Sequence, residues 1–214
     1  MQKMLIILVV AVVIVGMALV LLAPFFQTVD VRPYERLKDP AIRTIPVTRV
    51  MQISFELPSS ELSKMYGVLF KCYFATRGTP KGKKMQPPAT RYVNTIDFEM
   101  ASKDRERMVK EAVWKGMTGI PVPETVSELK LPKNCYGMTV ELSDWQYGET
   151  AEILHVGPYE KEAPTVKRLL DYIDAQGYEI AGLHEEVYLK GPGNPLVKPE
   201  NYYTIIRYPV KPKK

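Results

Sequence analysis

The order strand, helix, strand, strand occurs twice in this chain, and that repetition constrains the fold more than any single motif. A βαββ unit covers one sheet face with its helix and leaves the other open, so two units can pair about a pseudo-twofold axis with a cleft between them. In the first unit Ile45, Val47, Met51, Ile53, Phe55 and Leu57 alternate with mostly polar neighbours, interrupted only by Arg49, which predicts a strand with one buried face. Pro58-Ser59-Ser60-Glu61 then signals a helix start, and Leu62, Met65, Tyr66, Leu69, Phe70, Tyr73 and Phe74 recur at helical spacing up to Gly78. After the basic loop 79–88, short strands are predicted over 89–93 and 96–100. The second unit reads as a strand over 149–156, a helix carrying Val166, Leu169, Leu170 and Ile173, a strand over 178–189 and a last strand over 202–210. The expected class is α+β: duplicated βαββ units with pseudo-twofold symmetry around a central cleft. Repeat one spans about 44–102 and repeat two about 144–210. An insert of about 103–143 separates them, with Asp104–Trp114 reading as helical and Gly119–Pro123 as extended.

The strand over 178–189 carries the chemistry. Alternation puts Ile180, Gly182, His184, Glu186 and Tyr188 on one face and Ala181, Leu183, Glu185, Val187 and Leu189 on the other. Only the second face reads as core. Aligning the halves sets Thr90-Arg91-Tyr92 against Glu186-Val187-Tyr188, so the tyrosines correspond and the acid belongs to one half alone. Two plainer roles compete for Glu186: a solvated strand residue, or a partner for Arg91 or Arg207.

From Met4 to Phe26 the chain has no charged residue. Crossing ~30 Å of hydrocarbon takes ~20 apolar residues, so this run reads as one transmembrane helix preceding the domain; a cleaved signal peptide is the alternative. The chain then divides into an anchor at 1–27, a juxtamembrane linker at 28–43 and a ligand-binding domain at 44–214. Arg32, Arg36, Lys38 and Arg43 outweigh Lys3, which favours a single-pass membrane protein with a cytoplasmic C-terminal domain.

The net charge of +5 is modest for 214 residues. It comes partly from Lys81, Lys83 and Lys84 in a loop and from Lys211, Lys213 and Lys214 in the tail. No aromatic-interleaved basic stripe, zinc spacing or recognition helix accompanies these clusters, which argues against nucleic acid as a partner. Cys72 and Cys135 lie in different contexts and read as free thiols, with a disulfide as the alternative. His155 and His184 read as structural hydrogen-bonders, since no further ligands are evident for a metal. No serine stands in a nucleophile elbow, and no cofactor is implied.

Three stretches together resemble a known family. His155-Val156-Gly157-Pro158-Tyr159 before a helix, Glu186-Val187-Tyr188, and Ile206-Arg207-Tyr208-Pro209-Val210 near the end look like the GyrI-like small-molecule-binding domain, the effector-binding module of multidrug-responsive transcription activators. The resemblance is best over 149–210 and weaker over 43–103. It implies a duplicated βαββ fold and a central cleft with an acid for organic cations and aromatic walls. Carried over, the acid is Glu186 and the phenol Tyr188. The pattern of the residues themselves adds Tyr92 and Tyr159 as walls and His184, on the same face as Glu186, to the expected ligand-binding set. The expected function is a membrane-anchored module for amphipathic or cationic small organic ligands, with Glu186 as counter-ion. Some members hydrolyse strained-ring toxins, so the alternative is an enzyme using Glu186 as general base with Tyr188 as its partner. A scaffold that binds a protein through the insert or the basic loop is a third reading.

Overall fold

In the computed structural model the described residues are 29–94, 107, 111–194 and 196–214. They build a curled antiparallel sheet from β1 (Ala41–Ile45), β2 (Thr48–Pro58), β3 (Ala89–Tyr92), β4 (Val113–Pro121), β5 (Glu141–Trp145), β6 (Gly148–Val156), β7 (Tyr178–Ile180), β8 (His184–Lys190) and β9 (Tyr203–Pro212). The order is β1-β6-β9-β8-β3-β4-β2-β5, with β7 also pairing β9. Helix α1 (Leu62–Ala75) follows β2 and helix α2 (Ala163–Ala175) follows β6. Pro164 stands in the first turn of α2, where the missing N–H has no intrahelical partner to lose.

Alternation along the strands sends neighbouring residues into different cores. On one face Met51, Ile53 and Phe55 pack with Met65, Leu69 and Tyr73 of α1, and Ile153 and Ile206 pack with Val166, Leu169 and Ile173 of α2. On the opposite face Val50, Trp145, Val187 and Ile205 form a separate cluster, joined by Leu37 from the 3-10 helix Arg32–Lys38. Residues read as linker are therefore packed on the sheet. The helices leave the middle of their own face, over β3 and β8, to polar and aromatic side chains.

Three elements differ from the sequence reading. The strand after β3 is β4, inside the stretch read as an insert, and Trp114 lies in this strand; the segment predicted as a strand at 96–100 lies outside the described residues. Gly116 and Gly119 hide β4 by breaking its alternation. A Cβ at Gly116 would stand 2.1 Å from the Arg91 carbonyl oxygen, so β4 can approach β3 there only without a side chain. The strand predicted over 178–189 is broken into β7 and β8. Ile180 pairs with Val210 and Glu185 with Arg207, which leaves more residues on the first chain than on β9. Pro209 lies in this gap and has no N–H to offer the ladder; its carbonyl takes the Ala181 N–H at 2.8 Å. The strand predicted over 45–57 is likewise divided near Pro46, and β1 pairs with β6 at the far end of the sheet.

The expected membrane localisation is corrected. Among the described residues no helix is long and apolar enough to cross a membrane. Residues 4–26, which carried that expectation from their hydropathy alone, lie outside the described residues.

Candidate functional site

The site is built on the β3–β8 ladder, where Thr90 pairs with Glu186 and Tyr92 with His184. Paired residues share a sheet face, so these side chains, with Tyr188 two positions on, project between α1 and α2. Glu186 is 8% exposed and His184 4%. The imidazole links two elements of the site: His184 Nδ1 meets the Tyr208 hydroxyl at 2.8 Å and Nε2 meets Glu186 Oε1 at 3.1 Å. A carboxylate only accepts, so Nε2 carries a proton and donates it to Glu186.

Phenols close over this floor. The Tyr92 and Tyr188 hydroxyls are 2.7 Å apart, joining the two central strands. Tyr188 stands edge-on to Tyr66 and Tyr159, with centroids 6.2 and 6.0 Å away, and Tyr92 packs against Trp114 at 5.3 Å. Tyr66 projects from α1, and its hydroxyl is 2.7 Å from Thr90 Oγ1, which is 2.9 Å from Thr118 Oγ1. Thr118 donates to the Ala89 carbonyl at 3.2 Å. Proton direction is thereby fixed back along the chain: Thr90 donates to Thr118, and Tyr66 donates to Thr90.

Burial is the first cause that raises the pKa of Tyr66, Tyr92, Tyr159, Tyr188 and Tyr208, and the Glu186 charge adds to it at every one of them. Glu186 thus acts on all five phenols, and the Glu162 charge adds to it at Tyr92, Tyr159 and Tyr208. His155 is a support rather than a wall. Its Nε2 lies 3.2 Å from the Pro158 carbonyl and its Nδ1 3.0 Å from Thr165 Oγ1, tying the turn that presents Tyr159 to the start of α2. Burial pushes its pKa down, against the Pro158 carbonyl and the Glu186 charge.

The arginines go elsewhere. Arg91 Nε and Arg207 Nε each reach Glu185 at 2.7 Å, on the opposite face. There Arg207 also contacts Glu152 at 3.2 Å and Arg43 pairs with Glu152. The Arg91 guanidinium covers Trp145 and Tyr147 at 4.3 and 4.5 Å. Among the described residues no lysine or arginine pairs with Glu186.

The structure brings Glu186, Tyr188, Tyr92, Tyr159 and His184 into one contiguous cluster. Sequence reasoning did not assign Tyr66, Tyr208 or Trp114 to it. Tyr66 appeared as one of a core stripe on α1, and Tyr208 only as part of a terminal motif. A separate open depression of about 400 Å³ lies along β2 and is lined by Ser54, Glu56, Tyr136 and Glu141 among others; it shares no residue with the cleft.

A curled antiparallel sheet with helices on one face and an acid beneath aromatic rings between them is the architecture of a small-molecule-binding domain. The chain belongs to the GyrI-like small molecule binding domain family, whose pattern matches residues 38–211. It is similar in structure to an uncharacterized conserved protein from Listeria innocua, with a TM-score of 0.61 and 17% identity over 86% of this chain and 100% of that one. A hydrolase from Listeria innocua matches with a TM-score of 0.57 and 16% identity over 86% and 100% of the respective chains. The EcmrR C-terminal domain matches with a TM-score of 0.57 and 16% identity over 81% and 98%. At these identities the likeness is one of fold. No curated protein matches the chain in sequence.

Proposed function

We propose that the cleft captures small organic cations, with Glu186 as counter-ion and Tyr66, Tyr92, Tyr159 and Tyr188 as walls. The observation that carries this reading is the division of labour between adjacent acids: Glu185 takes Arg91 and Arg207, while Glu186 faces rings. A cation entering the cleft supplies the charge that Glu186 lacks and gains ~0.5–2 kcal/mol at each well-placed ring face. Rings select charge and flatness more than outline, which suits a broad ligand range. Tyr188 is engaged with Tyr92, so admission of a ligand exchanges that hydrogen bond for new contacts. Calorimetry with a panel of lipophilic quaternary ammonium compounds tests this, and equal binding by Glu186→Gln would sink the assigned role.

An internal duplication fits the same site. Read outward from the β3–β8 ladder, β4, β2 and β5 on one side stand where β9, β6 and β1 stand on the other. The offset that equates Tyr92 with Tyr188 also equates Thr90 with Glu186, and those residues pair across the central ladder. The pseudo-twofold axis then passes beside Glu186, the residue at which the halves differ.

A hydrolytic reading is supported by Glu162, at the start of α2. Its charge also raises the pKa of Tyr92, Tyr159 and Tyr208, which makes it a second acid near the cleft. In that reading Glu186 takes a proton from water, the hydroxide adds to an electrophilic carbon of a strained ring, and the broken ring bond takes up the proton. Turnover of a cyclopropane-bearing substrate by the wild type and not by Glu186→Gln would establish it.

A further inference from the structure

Thr204 is fully buried, and its Oγ1 has no hydrogen-bond partner. A buried hydroxyl without a partner is destabilising and uncommon, and therefore calls for an explanation. Its position supplies one. On β9 Thr204 pairs with Tyr188 of β8 and with His155 of β6, and Ile206, two residues on, lies in the α2 core. The hydroxyl therefore belongs to the helix-side face, the face of Glu186. Glu186 itself pairs with Ile206, which makes Thr204 its diagonal neighbour at roughly 7–8 Å between backbones. Tyr188 and the Tyr159–Tyr202 ring pair, with centroids 5.5 Å apart, stand at this end of the cleft. Thr204 is thus an unsatisfied polar point set one diagonal away from the charge and directly across the strand pair from Tyr188.

We infer that Thr204 is a second, hydrogen-bonding subsite of the cleft. The ligand class is thereby narrowed to organic cations that carry a hydroxyl or similar group one aromatic ring away from the charge. This rests on the cation-binding reading of Glu186. The cation meets Glu186, the ring lies among the tyrosines, and the distal group meets Thr204 Oγ1, which can donate or accept. The free protein keeps the unsatisfied hydroxyl, and the ligand satisfies it.

The test compares benzyltrimethylammonium with its para-hydroxy derivative on the purified chain by calorimetry. The wild type is expected to bind the hydroxylated probe about fivefold more tightly, the scale of one net hydrogen bond. Thr204→Val should bind both probes equally, at the affinity of the unsubstituted one, while Thr204→Ser keeps the preference. Glu186→Gln should weaken both probes alike, which separates the two subsites. Without ligand, Thr204→Val should raise the denaturation midpoint, because it removes a buried hydroxyl with no partner. A preference that survives in Thr204→Val, or a midpoint that falls, overturns the subsite while leaving the Glu186 reading intact. Failure of the wild type to bind either probe overturns both.

Discussion

Glu185 and Glu186 are adjacent in the chain and serve opposite faces of one sheet. Glu185 receives Arg91 and Arg207 at 2.7 Å each, and Glu186 receives the His184 imidazole at 3.1 Å. Alternation of a single strand thus separates an acid that holds the sheet together from an acid that faces the cleft.

Their removal should therefore have different consequences. Glu185→Gln leaves the part-buried Arg91 guanidinium facing a neutral amide and leaves Arg207 with Glu152 alone among the described acids, and breaking a pair whose acid is buried costs about 3 kcal/mol. Glu186→Gln removes a charge with no arginine partner and should leave stability nearly unchanged. Urea denaturation of the two variants checks both statements. A stability loss for Glu186→Gln as large as that for Glu185→Gln would mean that Glu186, too, is a structural acid.

Stability should also respond to mild acid through His155. Burial holds its folded pKa below the unfolded value of 6.5, so between the two the unfolded chain binds more protons. Stability is then fully present above about pH 6.5, falls as pH drops below it, and levels off beneath the folded pKa. Denaturation midpoints at pH 7.5 and 5.5 should show this fall in the wild type, and His155→Gln should reduce it.

At the alkaline end the sign reverses. Tyr73 and Tyr147 are pushed up to about 12 by burial, and the phenols of the cleft are raised as well. The unfolded chain loses these protons near pH 10, so stability declines as pH rises above that value. Phenolate absorbance of these groups should therefore appear together with unfolding, and appearance well before it would show that the cleft is open to water.

Much of the site was legible because β8 alternates regularly from His184 to Tyr188, before its pairing with β9 shifts register between Tyr188 and Lys190. That pattern alone placed His184, Glu186 and Tyr188 on one face. The partners of Glu185 were not legible, since Arg91 lies 94 positions away and Arg207 22, and only the pairing of β3 and β9 with β8 brings them together. Tyr66 was hidden for a different reason. Helical spacing shows that a ring faces the sheet, not whether its hydroxyl meets a core or a cleft. Strand β4 was missed because Gly116 and Gly119, the residues that let it approach its neighbours, erase the alternation by which a strand is recognised.

Gly116 provides a check on that last point. An added methyl would meet the Arg91 carbonyl at 2.1 Å and the Phe55 ring at 3.3 Å. Backbone cannot yield as a flexible side chain can, so Gly116→Ala should destabilise by about 1–3 kcal/mol and displace β3. Thermal denaturation, together with loss of Tyr92-dependent ligand contacts, would register both effects. A variant as stable as the wild type would contradict the close approach of β4 to β3.

The most direct test of the account is charge discrimination in the cleft. Benzyltrimethylammonium and its neutral isostere neopentylbenzene, in which carbon replaces the quaternary nitrogen, differ in charge and barely in shape. Titrating each into wild type and Glu186→Gln measures what that carboxylate contributes. The account predicts that the wild type binds the cation at least tenfold more tightly than the isostere, and that Glu186→Gln loses this preference while keeping its fold. Equal binding of cation and isostere by the wild type, or an undiminished preference in Glu186→Gln, would contradict it.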